Sequence, residues 1–213
     1  NKYSIENDLD LKIAEKIKSF NTKLIFLSTR KVYKLNDNIK ETSRKNPKCN
    51  YSKNKLISEK KLLELLDDKL LILRISNIIG YYQKKNNRKI HNTFINQFFN
   101  NIKKNMIYDN QKLYRDFISI HQFSEIIKRL IKKKSYGIYN VSMGRKVYLK
   151  NIINWLNFYN KKKIVQKKLP ITINKSQNFY LNNKKLSKEI KLKLSLIKLK
   201  KDCKDISKLF FKS

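Results

Sequence analysis

The chain has 213 residues, 40% of them hydrophobic, which suffices for one sizeable domain or two small ones and excludes a disordered polymer. Lys and Arg number 51 against 16 Asp and Glu, and the resulting +35 ordinarily points to nucleic acid or an anionic surface. Here the excess is mainly Lys, spread from end to end among abundant Asn and Ile, whereas recognition surfaces favour clustered Arg, so a nucleic-acid partner is not expected.

The first segment, 8–20, places Leu9, Ile13, Ile17 and Phe20 at helical spacing, and 24–27 is a short apolar run; together they read as a helix and then a buried strand. The strand ends in Ser28-Thr29-Arg30-Lys31-Val32-Tyr33, and a polar loop over 34–50 follows. Next comes Tyr51-Ser52-Lys53-Asn54-Lys55, opening a predicted helix over 51–66, and then a second apolar run over 70–73. Strand, helix, strand with both strands apolar at every position predicts a parallel sheet covered on both faces, a doubly wound α/β domain.

Beyond Gly80 the pattern loosens. It predicts a polar loop, a helix over 91–103, short strands near Met106 and Phe117, and a helix over 121–132. A strand over 138–141, a helix over 149–159, a Lys-rich stretch around Pro170 and helices over 181–190 and 200–211 complete a smaller α+β lobe.

Cys49 and Cys203 lie far apart and form no ligand spacing with His91 or His121, so a metal site is not expected. No apolar run approaches the ~20 residues that cross a bilayer. A reduced, cytoplasmic protein without a membrane partner is the expectation, and the Asn at position 1 suggests a processed or incomplete product.

The chemistry concentrates between positions 28 and 55. Residues four apart on a helix share a face, so the Tyr51 phenol and the Lys55 ammonium are expected to point into one cleft. A free phenol titrates near pH ~10, and a neighbouring cation would bring it toward the range where an acid/base works. Thr29, at the end of its strand, is placed to hydrogen-bond the same substrate oxygen.

Five segments carry a resemblance in order: LIFLSTRKVY over 24–33, YSKNK over 51–55, LRISNIIG over 73–80, RDFISI over 115–120 and GIYNVSMG over 137–144. The sequence resembles the extended short-chain dehydrogenase/reductases that act on nucleotide sugars. The resemblance implies a partial Rossmann-like doubly wound parallel sheet over 1–80. Residues 81–213 would then form mainly a smaller C-terminal α+β substrate lobe, with segments able to return to the sheet.

It also implies NAD or NADP as cofactor and a nucleotide sugar as substrate, and it allows a homodimer. Thr29, Tyr51 and Lys55 fall on the catalytic triad, and Ser28, Tyr51 and Lys55 on cofactor-binding positions. Asn77 and Arg115 fall on substrate diphosphate positions, and Asn140 on a position that supports the fold. The alternative for Arg115 is an ion pair with Asp116 or Asp109.

Family dehydratases carry an Asp-Glu pair after the triad Thr. This chain has Arg30 and Lys31 there, so the resemblance points to epimerisation or reduction. The segment 178–186 is closer to the dTDP-4-dehydrorhamnose reductase branch than to the UDP-glucose 4-epimerase branch.

Departures from the family pattern are Tyr81, Gln122 and, above all, the glycine-rich turn that cradles a dinucleotide pyrophosphate. The chain has three glycines, Gly80, Gly137 and Gly144, and none fits that turn. Asn7 resembles the Asn that starts the family's fourth helix. The expectation is therefore an N-terminally truncated chain, inactive by itself, with a split enzyme or a basic binding protein for a partner or polyanion as alternatives.

Overall fold

The computed structural model describes residues 2–80, 94–103, 106–109, 113–161, 165–168 and 178–211. The expectations for 91–93, for Tyr81 and for the stretch around Pro170 lie outside these residues.

Helix α1 (Leu9–Ile17) leads into strand β1 (Leu24–Thr29), helix α2 (Asn50–Leu66) and strand β2 (Leu70–Ile75). β1 pairs in parallel with β2, Leu24 beside Leu70 through Thr29 beside Ile75. β2 pairs in parallel on its other edge with Gly137–Val141, which returns to this sheet from far along the chain.

The continuous apolar run in β2 follows from coverage of both faces. Leu70 and Ile72 pack with Phe26 against Leu11 and Ala14 of α1 and Leu62 and Leu66 of α2. Leu71 and Leu73 face the opposite way, against Ile126, Leu130, Leu186 and Ile190. Each such buried side chain contributes roughly 1.5–3 kcal/mol of transfer free energy.

β1 is covered less completely than its sequence suggests. Phe26 is buried but Leu27 is 47% exposed, because β1 is the edge strand of the order β1, β2, Gly137–Val141. α1 also differs in facing: it buries Leu11 and Ala14, while Leu9, Ile13 and Phe20 are exposed. The small Ala14 side chain permits close approach to α2, and that packing selects the face.

A second, smaller core lies beside the sheet. Strand β3 (Asn77–Ile79) leaves β2 and pairs in parallel with β6 (Phe117–Ser119). Helix α3 (Phe94–Lys103), strands β4 (Met106–Asp109) and β5 (Tyr114–Arg115), and helix α4 (Ile120–Lys132) complete the middle of the chain. After β7 (Gly137–Val141) come β8 (Val147–Tyr148), α5 (Leu149–Leu156), β9 (Val165–Lys168), α6 (Lys184–Ile190) and α7 (Leu196–Phe211). β4 pairs with β9 in parallel and β5 with β8 antiparallel. Phe98, Phe99, Ile152, Leu156, Leu199 and Cys203 fill the core between α3, α5 and α7, and Phe99 stacks on Phe210 at 3.9 Å.

Helix α6 starts at 184 rather than 181 because Leu181 is drawn into a parallel bridge with Ile39. Among the described residues no helix is long and apolar enough to cross a membrane.

Candidate active site

Two elements bring the site together. β1 ends at Thr29, whose hydroxyl accepts from the Lys31 N–H at 3.3 Å and so opens a short turn over Arg30–Val32. α2 starts beside that turn. Its first residues are held by Cys49, whose N–H donates to Ser52 Oγ at 3.3 Å while Ser52 Oγ donates back to the Cys49 carbonyl at 2.9 Å. Tyr51 therefore lies in the first turn of α2, over the end of β1.

The Thr29 hydroxyl lies near enough to the Tyr51 phenol to favour its ionised form. Burial pushes the phenol pKa above its usual value, Thr29 opposes the rise, and the nearby Cys49 adds to it. Lys55 does not enter this balance: its ammonium reaches Asp10 at 3.5 Å and lies 4.2 Å from the Phe26 ring centroid. The cation over the Tyr51 ring is Lys31, at 5.8 Å from the centroid. The lowering of the phenol pKa expected from Lys55 is thus not produced by this arrangement.

An open cleft of about 670 Å³ adjoins the pair, lined by Tyr51, Asn54, Lys55 and Ser58 of α2 and by the segment from Lys2 to Asp10. Asp8 organises that wall. Burial raises its carboxyl pKa, but hydrogen bonds from Ser58 Oγ (2.6 Å), the Leu11 N–H (3.1 Å) and the Tyr3 hydroxyl (2.9 Å) outweigh this and hold it below the ordinary range.

Behind the site the side chains are closed and tightly bonded. Glu59, two turns beyond Tyr51, is 1% exposed and pairs with Arg74 of β2, which is 3% exposed. Arg74 Nε lies 3.1 Å from both Glu59 oxygens, and its Nη1 donates to the Tyr33 hydroxyl at 2.9 Å and the Glu41 carbonyl at 3.0 Å. Ser28 donates its hydroxyl to Glu59, so its side chain faces this ion pair. Asn140 is fully buried: its Oδ1 accepts from Tyr33 at 2.8 Å and its Nδ2 donates to the Ile39 and Asn182 carbonyls.

Asn77 is half-buried and donates its amide to the Asp116 backbone carbonyl at 2.9 Å. Arg115 is half-buried on β5. The alternative expected for it, an ion pair with Asp116, is not formed. The Asp116 carboxylate accepts instead from the Met143, Gly144 and Leu181 N–H groups, at 2.8, 3.1 and 3.1 Å. Burial pushes Asp116 up to about 7 against these bonds. Asp109, the other partner considered, has a side chain outside the described residues.

Glu59, Arg74, Asp116 and Arg30 were not singled out as site residues from the sequence. Glu59 carried one usable signal, standing at i+8 from Tyr51 and i+4 from Lys55 on the same helical face. Among the described residues no group of three His, Cys, Asp or Glu side chains is placed to hold a metal ion.

Tyr51 and Lys55, beside the open cleft, suit one end of a dinucleotide. The three glycines do not supply the turn needed at the other end. Gly80 follows β3, Gly137 opens β7 and Gly144 sits in the β7–β8 turn, so none marks a helix start directly after a strand. Gly144 serves the turn itself: its φ is +75°, and an added Cβ would lie 2.3 Å from Asn183 Oδ1.

Comparison with known proteins places these elements. Among solved structures the fold is similar to UDP-N-acetylglucosamine 4-epimerase from Methanobrevibacter ruminantium M1 in complex with UDP-N-acetylmuramic acid. The identity is 22% and the TM-score 0.78, over 95% of this chain and 67% of that one. It is similar to RMD from Pseudomonas aeruginosa complexed with NADPH, at 18% identity and TM-score 0.76, over 95% of this chain and 71% of that one. It is also similar to a dTDP-4-dehydrorhamnose reductase from Clostridium acetobutylicum ATCC 824, at 15% identity and TM-score 0.73, over 94% and 70% of the two chains.

No curated protein matches the sequence. The NAD dependent epimerase/dehydratase family matches residues 3–142, a stretch that contains α1, the Thr29–Tyr51 pair, the buried Glu59–Arg74 pair and β7, and the chain belongs to that family.

Proposed function

We propose that this chain supplies the acid/base and sugar-binding part of an NAD- or NADP-dependent enzyme that epimerises or reduces a nucleotide-activated sugar. One observation carries the reading: Tyr51 neighbours Thr29 at the end of β1 and lines an open cleft together with Lys55, in a member of this family. The names of similar structures support it, one being in complex with UDP-N-acetylmuramic acid, another with NADPH and a third, a dTDP-glucose 4,6-dehydratase, with NAD.

In this reading Tyr51 takes or returns the proton of a sugar hydroxyl. Thr29 hydrogen-bonds the substrate oxygen and holds it beside Tyr51. Lys55 offsets the upward push of burial on the phenol, which requires its ammonium to exchange Asp10 for the phenolate. Tyr51 and Lys55 adjoin the nicotinamide end of the cofactor, Ser28 contributing its backbone there because its hydroxyl is committed to Glu59, and Asn77 and Arg115 adjoin the diphosphate of the sugar nucleotide. A bound nicotinamide supplies the hydride acceptor or donor. Arg30 follows Thr29 where an elimination would call on a carboxylic acid, which favours epimerisation or reduction over dehydration.

Without a glycine turn for the pyrophosphate, this chain by itself is expected not to turn over. The test combines calorimetry with UDP-N-acetylglucosamine and NADH with an NMR assay for sugar products. The assay is run on the chain alone and with a glycine-rich first half from a family member supplied in trans. The expected result is nucleotide-sugar binding by the chain, turnover only with the added half, and loss of at least about a hundredfold in rate on Tyr51→Phe. Absence of nucleotide-sugar binding, or turnover unchanged by Tyr51→Phe, would sink the reading. Turnover by the chain alone would overturn the expected inactivity.

A further inference from the structure

The Lys residues are spread evenly along the chain, but the acids that would balance them are not. Residues 1–68 hold 16 Lys and Arg against 10 Asp and Glu, whereas residues 69–213 hold 35 against 6. A charge difference of this size between two parts of one chain points to an anionic partner for the more basic part.

The fold gathers part of this excess where the strands of the main sheet start, the end away from Thr29. Lys23 stands directly before β1 and Tyr136 directly before β7, while Lys132, Lys133 and Lys134 close α4. Lys23 Nζ donates to the Lys134 carbonyl at 2.6 Å and so reaches across the start of β2, which lies between β1 and β7. Lys185 of α6 comes alongside the first residues of β7, its Nζ donating to the Ile138 carbonyl at 2.8 Å. All five Lys residues are exposed, and among the described residues none of them makes an ion pair. The carboxylate on this side, Glu189, is half-buried and accepts from Ser135 Oγ at 2.7 Å. Tyr136 stands among the cations: it is 60% exposed, and Lys23 Nζ lies over its ring at 5.5 Å from the centroid. An exposed ring beside unpaired ammonium groups lets a base stack while its phosphates are neutralised, and the flat face of the ring favours nucleic acid over other polyanions.

We propose that this end of the sheet is a binding face for single-stranded nucleic acid, with a base stacked on Tyr136 and phosphates held by Lys23, Lys132, Lys133, Lys134 and Lys185. The length of β1 separates this face from Thr29 and the cleft beside Tyr51, so it stands or falls apart from the function proposed above.

The test follows the fluorescence anisotropy of a labelled oligouridylate of about twelve nucleotides, titrated with the chain from about 50 to about 300 mM salt. The wild-type chain is compared with Tyr136→Ala, Tyr136→Phe and the triple change Lys132→Gln, Lys133→Gln, Lys134→Gln. A control carries Lys198→Gln, Lys200→Gln and Lys201→Gln, at exposed positions of α7. The two triple variants lose the same charge, so a difference between them reports position alone. Thermal unfolding establishes that each variant is folded, and Tyr136→Ala, which truncates an exposed side chain, carries the test if a triple variant does not fold.

The expected result is a loss of about five- to a hundredfold in affinity on Tyr136→Ala, with binding kept by Tyr136→Phe. The 132–134 triple variant should lose about tenfold or more, with a slope of log affinity against log salt shallower by about two, and the control less than about threefold. Equal losses from the two triple variants overturn the proposal, because they assign binding to the net charge of the whole chain. Affinity unchanged by Tyr136→Ala overturns it as well, since no base then stacks there. Vesicles of phosphatidylglycerol and phosphatidylcholine are titrated in parallel: if Tyr136→Ala and the 132–134 triple change weaken vesicle binding and leave the oligonucleotide unaffected, the face is a membrane contact and the proposal falls.

Discussion

Tyr51 and Glu59 stand two turns apart on α2, in opposite surroundings. Tyr51 is 52% exposed, and Lys55, one turn along, holds Asp10 only at 3.5 Å across an open cleft. Glu59 is 1% exposed and bonded to Arg74 and Ser28, with Tyr33 and Asn140 completing the network. One helix thus carries a loosely held, cleft-facing end and a tightly bonded anchoring end. The contrast teaches a division of labour: the buried pair fixes α2 against β1 and β2, and the exposed turn can then exchange partners without moving the helix.

Breaking the anchoring end should give the largest effect. Glu59→Gln leaves the Arg74 guanidinium buried without its counter-charge, and the expected loss is about 3–5 kcal/mol of stability. Urea unfolding checks it, and a loss under about 1 kcal/mol would mean that the pair does not anchor the helix.

Asp8 joins the two ends and should come next, because it receives Ser58 from the anchoring side and caps α1 on the cleft side. Its pKa is lowered in the folded chain, so its contribution is present above the unfolded value near ~3.9 and is lost as pH falls through the folded one. Asn is also a good cap, so Asp8→Asn isolates the charge. The expected cost is about 1–2 kcal/mol at neutral pH, shrinking below about pH 4. A gap that stays constant from pH 7 to pH 3 would show that the carboxylate charge is not responsible.

The same contrast explains what the sequence could reveal. The run over 70–73 announced a strand buried on both faces because both faces are in fact covered, by Leu62 and Leu66 on one side and Ile126 and Leu130 on the other. The four-residue step from Tyr51 to Lys55 put both side chains on the cleft-lining face of one helix because helical geometry is local. Glu59 was hidden: a single Glu in a Lys-rich helix looks like a solvated position, and its partner Arg74 comes from a strand.

Facing in α1 was hidden for a related reason. Leu9 and Ile13 compete with Leu11 and Ala14 for the inner side, and only the approach of α2 decides between them. The surroundings of Arg30 were hidden too, because Phe179, against whose ring it packs, comes from a distant segment.

A smaller effect is expected at the far end of α2. The helix stops at Asp67, which is exposed and holds φ 41° and ψ −108°, a conformation that strains any residue with a Cβ. Asp67→Gly should raise stability by about 1 kcal/mol. Because the change lies beyond the anchor, the Tyr51 phenol should titrate as before. A shift in the tyrosinate absorbance titration would mean that strain at the helix end reaches the cleft and that the two ends are mechanically coupled.

The smallest effect on stability belongs to Lys55, and it sharpens the comparison most. Its pair with Asp10 is long, and the two side chains are 24% and 47% exposed, so solvent screens most of the attraction. Lys55→Met keeps an apolar stem against Phe26 and should change stability by less than about 0.5 kcal/mol. If the proposed exchange of Asp10 for the phenolate takes place in the assembled enzyme, the same change should lower turnover strongly and raise the pH at which the Tyr51-dependent step proceeds. If Lys55→Met unfolds the chain as readily as Glu59→Gln does, the open end is structural too. If stability and the pH profile both stay unchanged, the cation over the Tyr51 ring, Lys31, becomes the residue to replace next.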